Sequence, residues 1–144
     1  MADFVFNVAK GAVAEKVRDN PAKLGVLLLK TAEADSSMKH RDTVADLLAG
    51  STEADFTNYS RKTGLTGTVT VDDVNDRTDV SLPNQTWIAA GGATNNTLVK
   101  AVIFYEESAS DSGRIPLVAL DFVGTTDGTN LSIDFDAAGF YRAA

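Results

Sequence analysis

Leu98-Val99-Lys100-Ala101-Val102-Ile103-Phe104-Tyr105 is the stretch that decides the fold class. It is apolar at every position but Lys100. A strand with one wet face would alternate, so this run predicts a central strand covered on both sides. Ile115 to Val123 is a second largely apolar run, with Pro116 near its start, where a strand tolerates proline. Outward from this pair the signal stays β. Leu65, Gly67, Val69 and Val71 alternate with Thr66, Thr68, Thr70 and Asp72. Val80 and Leu82 alternate with Asp79 and Ser81 before Pro83 ends the segment, and Thr86-Trp87-Ile88-Ala89 follows. Asp127-Gly128 reads as a hairpin turn, after which Leu131, Ile133 and Phe135 alternate with Ser132, Asp134 and Asp136. Short strands separated by Gly, Asn and Asp turns predict an antiparallel sandwich or barrel-like domain.

The first third is more mixed. Phe4-Val5-Phe6-Asn7-Val8 is β-branched and aromatic, so residues 1–11 read as an N-terminal strand or docking arm. Only Asn7 breaks the apolar run, so something should cover Phe4, Val5, Phe6 and Val8 on both sides. A sister subunit, another protein or the chain's own core would each do. Ala12 to Asn20 predicts a short helix stopped by Pro21. Lys23 to Lys30 reads as a buried strand. Thr43 to Ala49 predicts a helix with Val44, Leu47 and Leu48 on one face, Thr43 as its cap and Gly50 as a left-handed stop. The whole is a mainly β fold with one or two short helices near the N-terminus. No linker divides the 144 residues, so residues 1–144 are expected to form a single domain.

Composition excludes several chemistries. Without cysteine there can be no disulfide, thiolate nucleophile or zinc–thiolate site, and a single histidine rules out multi-histidine metal centres. A net charge of −7 argues against non-specific binding to nucleic acid or to an anionic membrane. Apolar runs such as Gly25–Leu29 fall far short of the roughly 18–20 residues of a spanning helix. The start, Met1-Ala2-Asp3-Phe4, lacks the basic and apolar regions of a secretory signal, which predicts a protein made in a cytoplasm.

No motif names a reaction. His40 lies beside Asp42, but adjacency along a chain is not triad geometry, and a solvated surface histidine is expected. Asp72-Asp73-Val74-Asn75-Asp76-Arg77-Thr78-Asp79 starts like a calcium loop. Arg77 then takes a ligand position, so an exposed turn between strands is expected, with no metal. Gly91-Gly92-Ala93-Thr94-Asn95-Asn96 lacks the Gly-Lys-Ser/Thr ending of a phosphate loop. Trp87 reads as core. Phe56 and Tyr59 near Arg61 and Lys62 do not make a nucleic-acid groove. No catalytic residue and no cofactor is assigned.

Asn84-Gln85-Thr86-Trp87-Ile88-Ala89-Ala90-Gly91-Gly92-Ala93-Thr94-Asn95-Asn96-Thr97-Leu98, with the strand ending Phe104-Tyr105-Glu106, resembles a family of small virion structural proteins of tailed bacteriophages. The opening Met1 to Gly11 and the ending Ala137-Ala138-Gly139-Phe140-Tyr141-Arg142-Ala143-Ala144 are similar too, so the resemblance spans the chain. It implies a non-enzymatic head decoration protein on the capsid exterior, made in the host cytoplasm. The major capsid protein would be its partner, with self-association, for instance as a trimer. Other virion roles in keeping with the resemblance are a head–tail connector, a tail-tube subunit or a fibre element. A small carbohydrate-binding or hydrolytic β domain is the reading from a different class.

Overall fold

The long apolar runs become the middle of an antiparallel sheet. The computed structural model describes residues 2–136 and 138–144. Met1 and Ala137, which fall within the resembling ends, lie outside the described residues. The strands are β1 (Phe4–Val5), β2 (Leu24–Thr31), β3 (Thr52–Glu53), β4 (Lys62–Leu65), β5 (Thr68–Asp72), β6 (Arg77–Ser81), β7 (Gln85–Trp87), β8 (Thr97–Glu106), β9 (Arg114–Thr125), β10 (Leu131–Ile133) and β11 (Tyr141–Ala143). Three short helices, α1 (Val13–Asp19), α2 (Asp35–Met38) and α3 (Val44–Gly50), fall in the N-terminal third. The fold is mainly β and sandwich-like, as the alternation predicts.

The main sheet has six strands in the order β1-β9-β8-β2-β3, with β4 also on β2. β8 therefore has a long partner on each side, and Leu98 and Lys100 through Tyr105 are all buried. Register assigns the faces. Leu24, Val26 and Leu28 stand opposite Tyr105, Ile103 and Ala101, and Leu120 also faces Ala101. On this side α1 brings the Lys16 ammonium to 5.0 Å from the centre of the Tyr105 ring. Leu120 and Phe122 meet Ile133, Phe135 and Phe140 here, which brings in the smaller sheets β11-β6-β5 and β10-β7. Lys100, Val102 and Phe104 point to the other side, where Asp35 of α2 reaches Lys100. A strand so enclosed needs no polar alternation, which is why β2 and β8 read as continuous apolar runs.

β3 and β4 share the outer side of β2 and leave a gap between them at Leu28. The loop after β3 fills it. Ala54 N–H donates to the Leu28 carbonyl at 2.9 Å, and Leu28 N–H donates to the Tyr59 hydroxyl at 3.1 Å. Tyr59 donates in turn to Glu53 Oε1 at 2.7 Å, and its ring packs edge-on against Phe56. A side chain thus completes a backbone ladder, and burial together with the Glu53 charge pushes the phenol's pKa well above its usual value.

Three local expectations need correction. Gly50 is the last residue of α3 and lacks the positive φ of a left-handed stop. Its missing side chain serves packing instead, since a Cβ there would stand 2.6 Å from Glu33 Oε2. Asp127-Gly128 turns the chain, with Gly128 at φ +95°, but makes no hairpin, because β10 leaves β9 and pairs with β7. The expected one or two short helices become three, because nothing in the sequence pattern announces α2. Four residues are too few for an apolar period to show, and only Met38 among them is buried. Thr43, by contrast, caps α3 as expected, its hydroxyl accepting from Asp46 N–H at 3.1 Å.

Tyr59→Phe should cost about 1–3 kcal/mol, because it strands the Leu28 N–H without its acceptor. Urea denaturation measures this, and a cost within a few tenths of zero would mean that water replaces the hydroxyl.

Candidate functional site

The arm that the sequence singles out lies on the edge of the main sheet. Phe4 and Val5 pair with Ala119 and Val118, and Phe6 N–H donates to the Leu117 carbonyl at 3.0 Å. Phe4 and Val5 are half-buried, Phe6 is fully buried and Val8 is 38% exposed. Its own core therefore takes up Phe6, while Phe4, Val5 and Val8 keep outward surface. Asn7 to Ala9 form a single 3-10 turn, so the extended segment ends sooner than the residue types suggest. Asn7 N–H is taken by the Lys39 carbonyl at 2.8 Å, which diverts the chain from β9.

The one polar residue in the deciding stretch holds this arm. Lys100 is fully buried. Its ammonium donates to Asp121 Oδ1, directly across the strands, at 2.7 Å and to the Ala2 carbonyl at 3.2 Å. It stands 3.2 Å from Asp35 Oδ1 and 5.3 Å from the centre of the Phe4 ring. Ala2 N–H donates to Asp35 Oδ2 at 3.0 Å, and Asp3 Oδ1 accepts from Asp121 N–H at 2.6 Å. A buried cation needs paired acids and oriented dipoles. Here β9 and α2 each supply an acid, and the first residues of the chain supply a carbonyl dipole. The Ala2 N–H and the Lys100 ammonium hold the Asp35 carboxyl below the usual carboxylate range, against the opposing pull of burial.

A second charged cluster closes the far end of the sheet. Arg61 grips both Glu53 oxygens, at 2.7 and 2.6 Å, and also binds Asp111. Arg114 bridges Asp111 at 3.0 Å and Glu106 at 2.9 Å. The Arg61 guanidinium, and after it Arg114, draw the Asp111 carboxyl below its usual range. By residue type, Arg61 reads only as half of a basic pair with Lys62 near two aromatics. Its partners lie 8 and 50 positions away, and no spacing rule points to them.

The remaining candidates take part in bonds within the fold. The Asp72–Asp79 stretch forms the β5–β6 hairpin, where Asn75 bonds both Asp72 oxygens and Arg77 lies between Asp72 and Asp79. Among the described residues no group of three or more potential metal ligands converges. His40 is exposed, and its Nδ1 accepts from the Asn7 side chain at 2.8 Å. Trp87 is buried and donates to the Ser60 carbonyl at 2.8 Å. The Gly91–Asn96 loop is a knot of internal bonds. Asn95 Oδ1 accepts from Gly92 N–H at 2.8 Å, and buried Asn96 bonds Asp55 through both ends of its amide. A cleft beside the arm is lined by Asp3, Phe122, Asp134, Phe135, Asp136 and Phe140. Among the described residues no helix is long and apolar enough to cross a membrane.

No family model, curated protein or solved structure matches this chain.

Lys100→Met keeps a straight chain of similar length but removes the cation. It should cost about 1–3 kcal/mol, since Asp35 and Asp121 retain some access to water. Amide exchange at Phe6 should accelerate more than exchange within β2, because the arm loses its anchor. Equal acceleration at both places would mean that Lys100 supports the whole sheet and not the arm.

Acid should weaken the fold by a route with a definite sign. Asp35 and Asp111 titrate lower when folded than when unfolded. Their contribution is complete above the unfolded carboxylate range, about pH 4, and is lost as the pH falls through the lower folded values. Melting temperature against pH should decline there, and Asp111→Asn should flatten the decline. An unaltered slope in that variant would remove Asp111 from the account.

Proposed function

We propose that this chain is a structural protein of a tailed-bacteriophage virion, a decoration protein that binds the outside of the capsid lattice and stabilises the head. It has the major capsid protein as partner and associates with itself. The observation that carries the reading is the use made of the resembling segment 84–106. Its tryptophan and its Asn/Thr-rich loop are spent on internal bonds, and its apolar run forms the central strand. That is the economy of a scaffold, with the outer surface left for contact. Ile88 and Val123 are 73% and 78% exposed, the kind of surface a partner would cover. A head–tail connector, tail-tube or fibre role would draw on the same features and differ in copy number.

The cleft beside the arm favours one reading of another class. Asp3, Asp134 and Asp136 beside Phe122, Phe135 and Phe140 combine carboxylates with apolar rings, the residue types of a carbohydrate site.

Purified protein mixed with bare capsids should co-sediment to a copy number near that of the capsid protein, and the decorated particles should rupture at a higher temperature. A handful of copies per virion would favour the connector role. Absence of capsid binding together with a positive glycan array would overturn the virion reading in favour of the cleft.

A further inference from the structure

Val69 and Val71 turn their backbone hydrogen-bonding groups away from the body of the protein. The Val80 carbonyl accepts from Phe140 N–H at 2.9 Å, so the backbone of Val80 faces β11. Val69 lies directly opposite Val80 across the β5–β6 ladder. In an antiparallel pair, a residue facing one that bonds elsewhere also points its own N–H and C=O outward. Val71, two residues on, does the same. β5 borders its sheet, and among the described residues no backbone group bonds it from outside.

Edges of this kind are normally kept short or blunted with charge, proline or a bulge. The other bordering strands follow that rule. β1 and β3 have two residues each and β7 and β10 three each, β4 carries Lys62 and β11 carries Arg142. β5 is five residues long, runs Thr68-Val69-Thr70-Val71 before its first charge, and leaves Val71 66% exposed.

We infer that β5 pairs with β5 of a second copy of this chain across a two-fold axis through Thr70. The argument for this occupant is the self-complementarity of the strand. Centred on Thr70, antiparallel pairing sets Val69 against Val71 twice, and these are the residues whose N–H and C=O groups point outward. Each Val69–Val71 pair exchanges two backbone bonds, Thr70 faces its own copy, and Asp72 faces Thr68. No like charges meet. β-Branched residues occupy every opposed position except Asp72, the composition that favours cross-strand pairing. The two small sheets β11-β6-β5 would then become one sheet of six strands. The inference rests on the self-association in the proposed function and gives it a two-fold contact in place of the trimer offered as an example.

The absence of cysteine gives a clean test. In this register the two copies of residue 70 form a non-hydrogen-bonded pair with Cα atoms about 4.5 Å apart, within disulfide reach. Thr70→Cys, oxidised with diamide, should run as a covalent dimer on a non-reducing gel. Thr68→Cys should not, because its copies would stand about 14 Å apart along the strands. Thr70 is exposed, so Thr70→Lys should leave the fold intact by circular dichroism. By setting two ammonium groups face to face it should weaken the dimer at least about 10-fold in sedimentation velocity. Wild-type protein that stays monomeric throughout a concentration series overturns the inference. So does Thr70→Cys cross-linking no faster than Thr68→Cys, or a dimer indifferent to Thr70→Lys. Capsid binding by wild-type protein is read separately, so failure of the virion role and failure of this pairing are told apart.

Discussion

Burial of β8 on both faces is the constraint from which the rest of the architecture follows. A strand with no wet side must have a layer above and a layer below, and 144 residues must supply both. The chain does so with unlike materials. The segment around α2 serves one face, while α1 and the two small sheets serve the other. The single polar residue on the strand then has to be neutralised where it lies. Lys100 draws Asp121, Asp35 and the Ala2 carbonyl to itself, and so ties the beginning of the chain to its middle.

How much of this can be read in the residues depends on whether a feature is local. The strands β2, β8 and β9, helices α1 and α3, and the Thr43 cap all follow from patterns a few residues long, and the mainly β class follows from them. The features that escape are those whose cause lies elsewhere in the chain. Gly50 is glycine because Glu33 approaches it, not because the helix must stop there. Asp127-Gly128 has the residues of a hairpin turn, but the strand that follows finds a better partner in β7. Lys100 looks like an interruption in an apolar run, and only its distant partners explain how it can be buried.

The same distinction governs the candidate site. The apolar arm was legible because Phe4, Val5, Phe6 and Val8 break the expected alternation. What covers the arm was not legible, since Ala119, Val118 and Leu117 lie more than a hundred positions away. The ion network of Glu53, Arg61, Asp111, Arg114 and Glu106 was invisible for a related reason. Each member is an ordinary surface residue by type, and only the fold gathers them.

The position of the arm also bears on how the chain acquires its structure. β1 pairs with β9, which lies more than a hundred residues later in the chain and is therefore synthesised well after it. Until Leu117 to Asp121 have been synthesised, Phe4 and Phe6 have no sheet to join and Lys100 has no Asp121. The main sheet is therefore closed late, by contacts of large sequence separation, which are slow to form. During that interval the nascent chain presents the apolar arm and the exposed edge of β8 together. That interval is the one most open to misassembly.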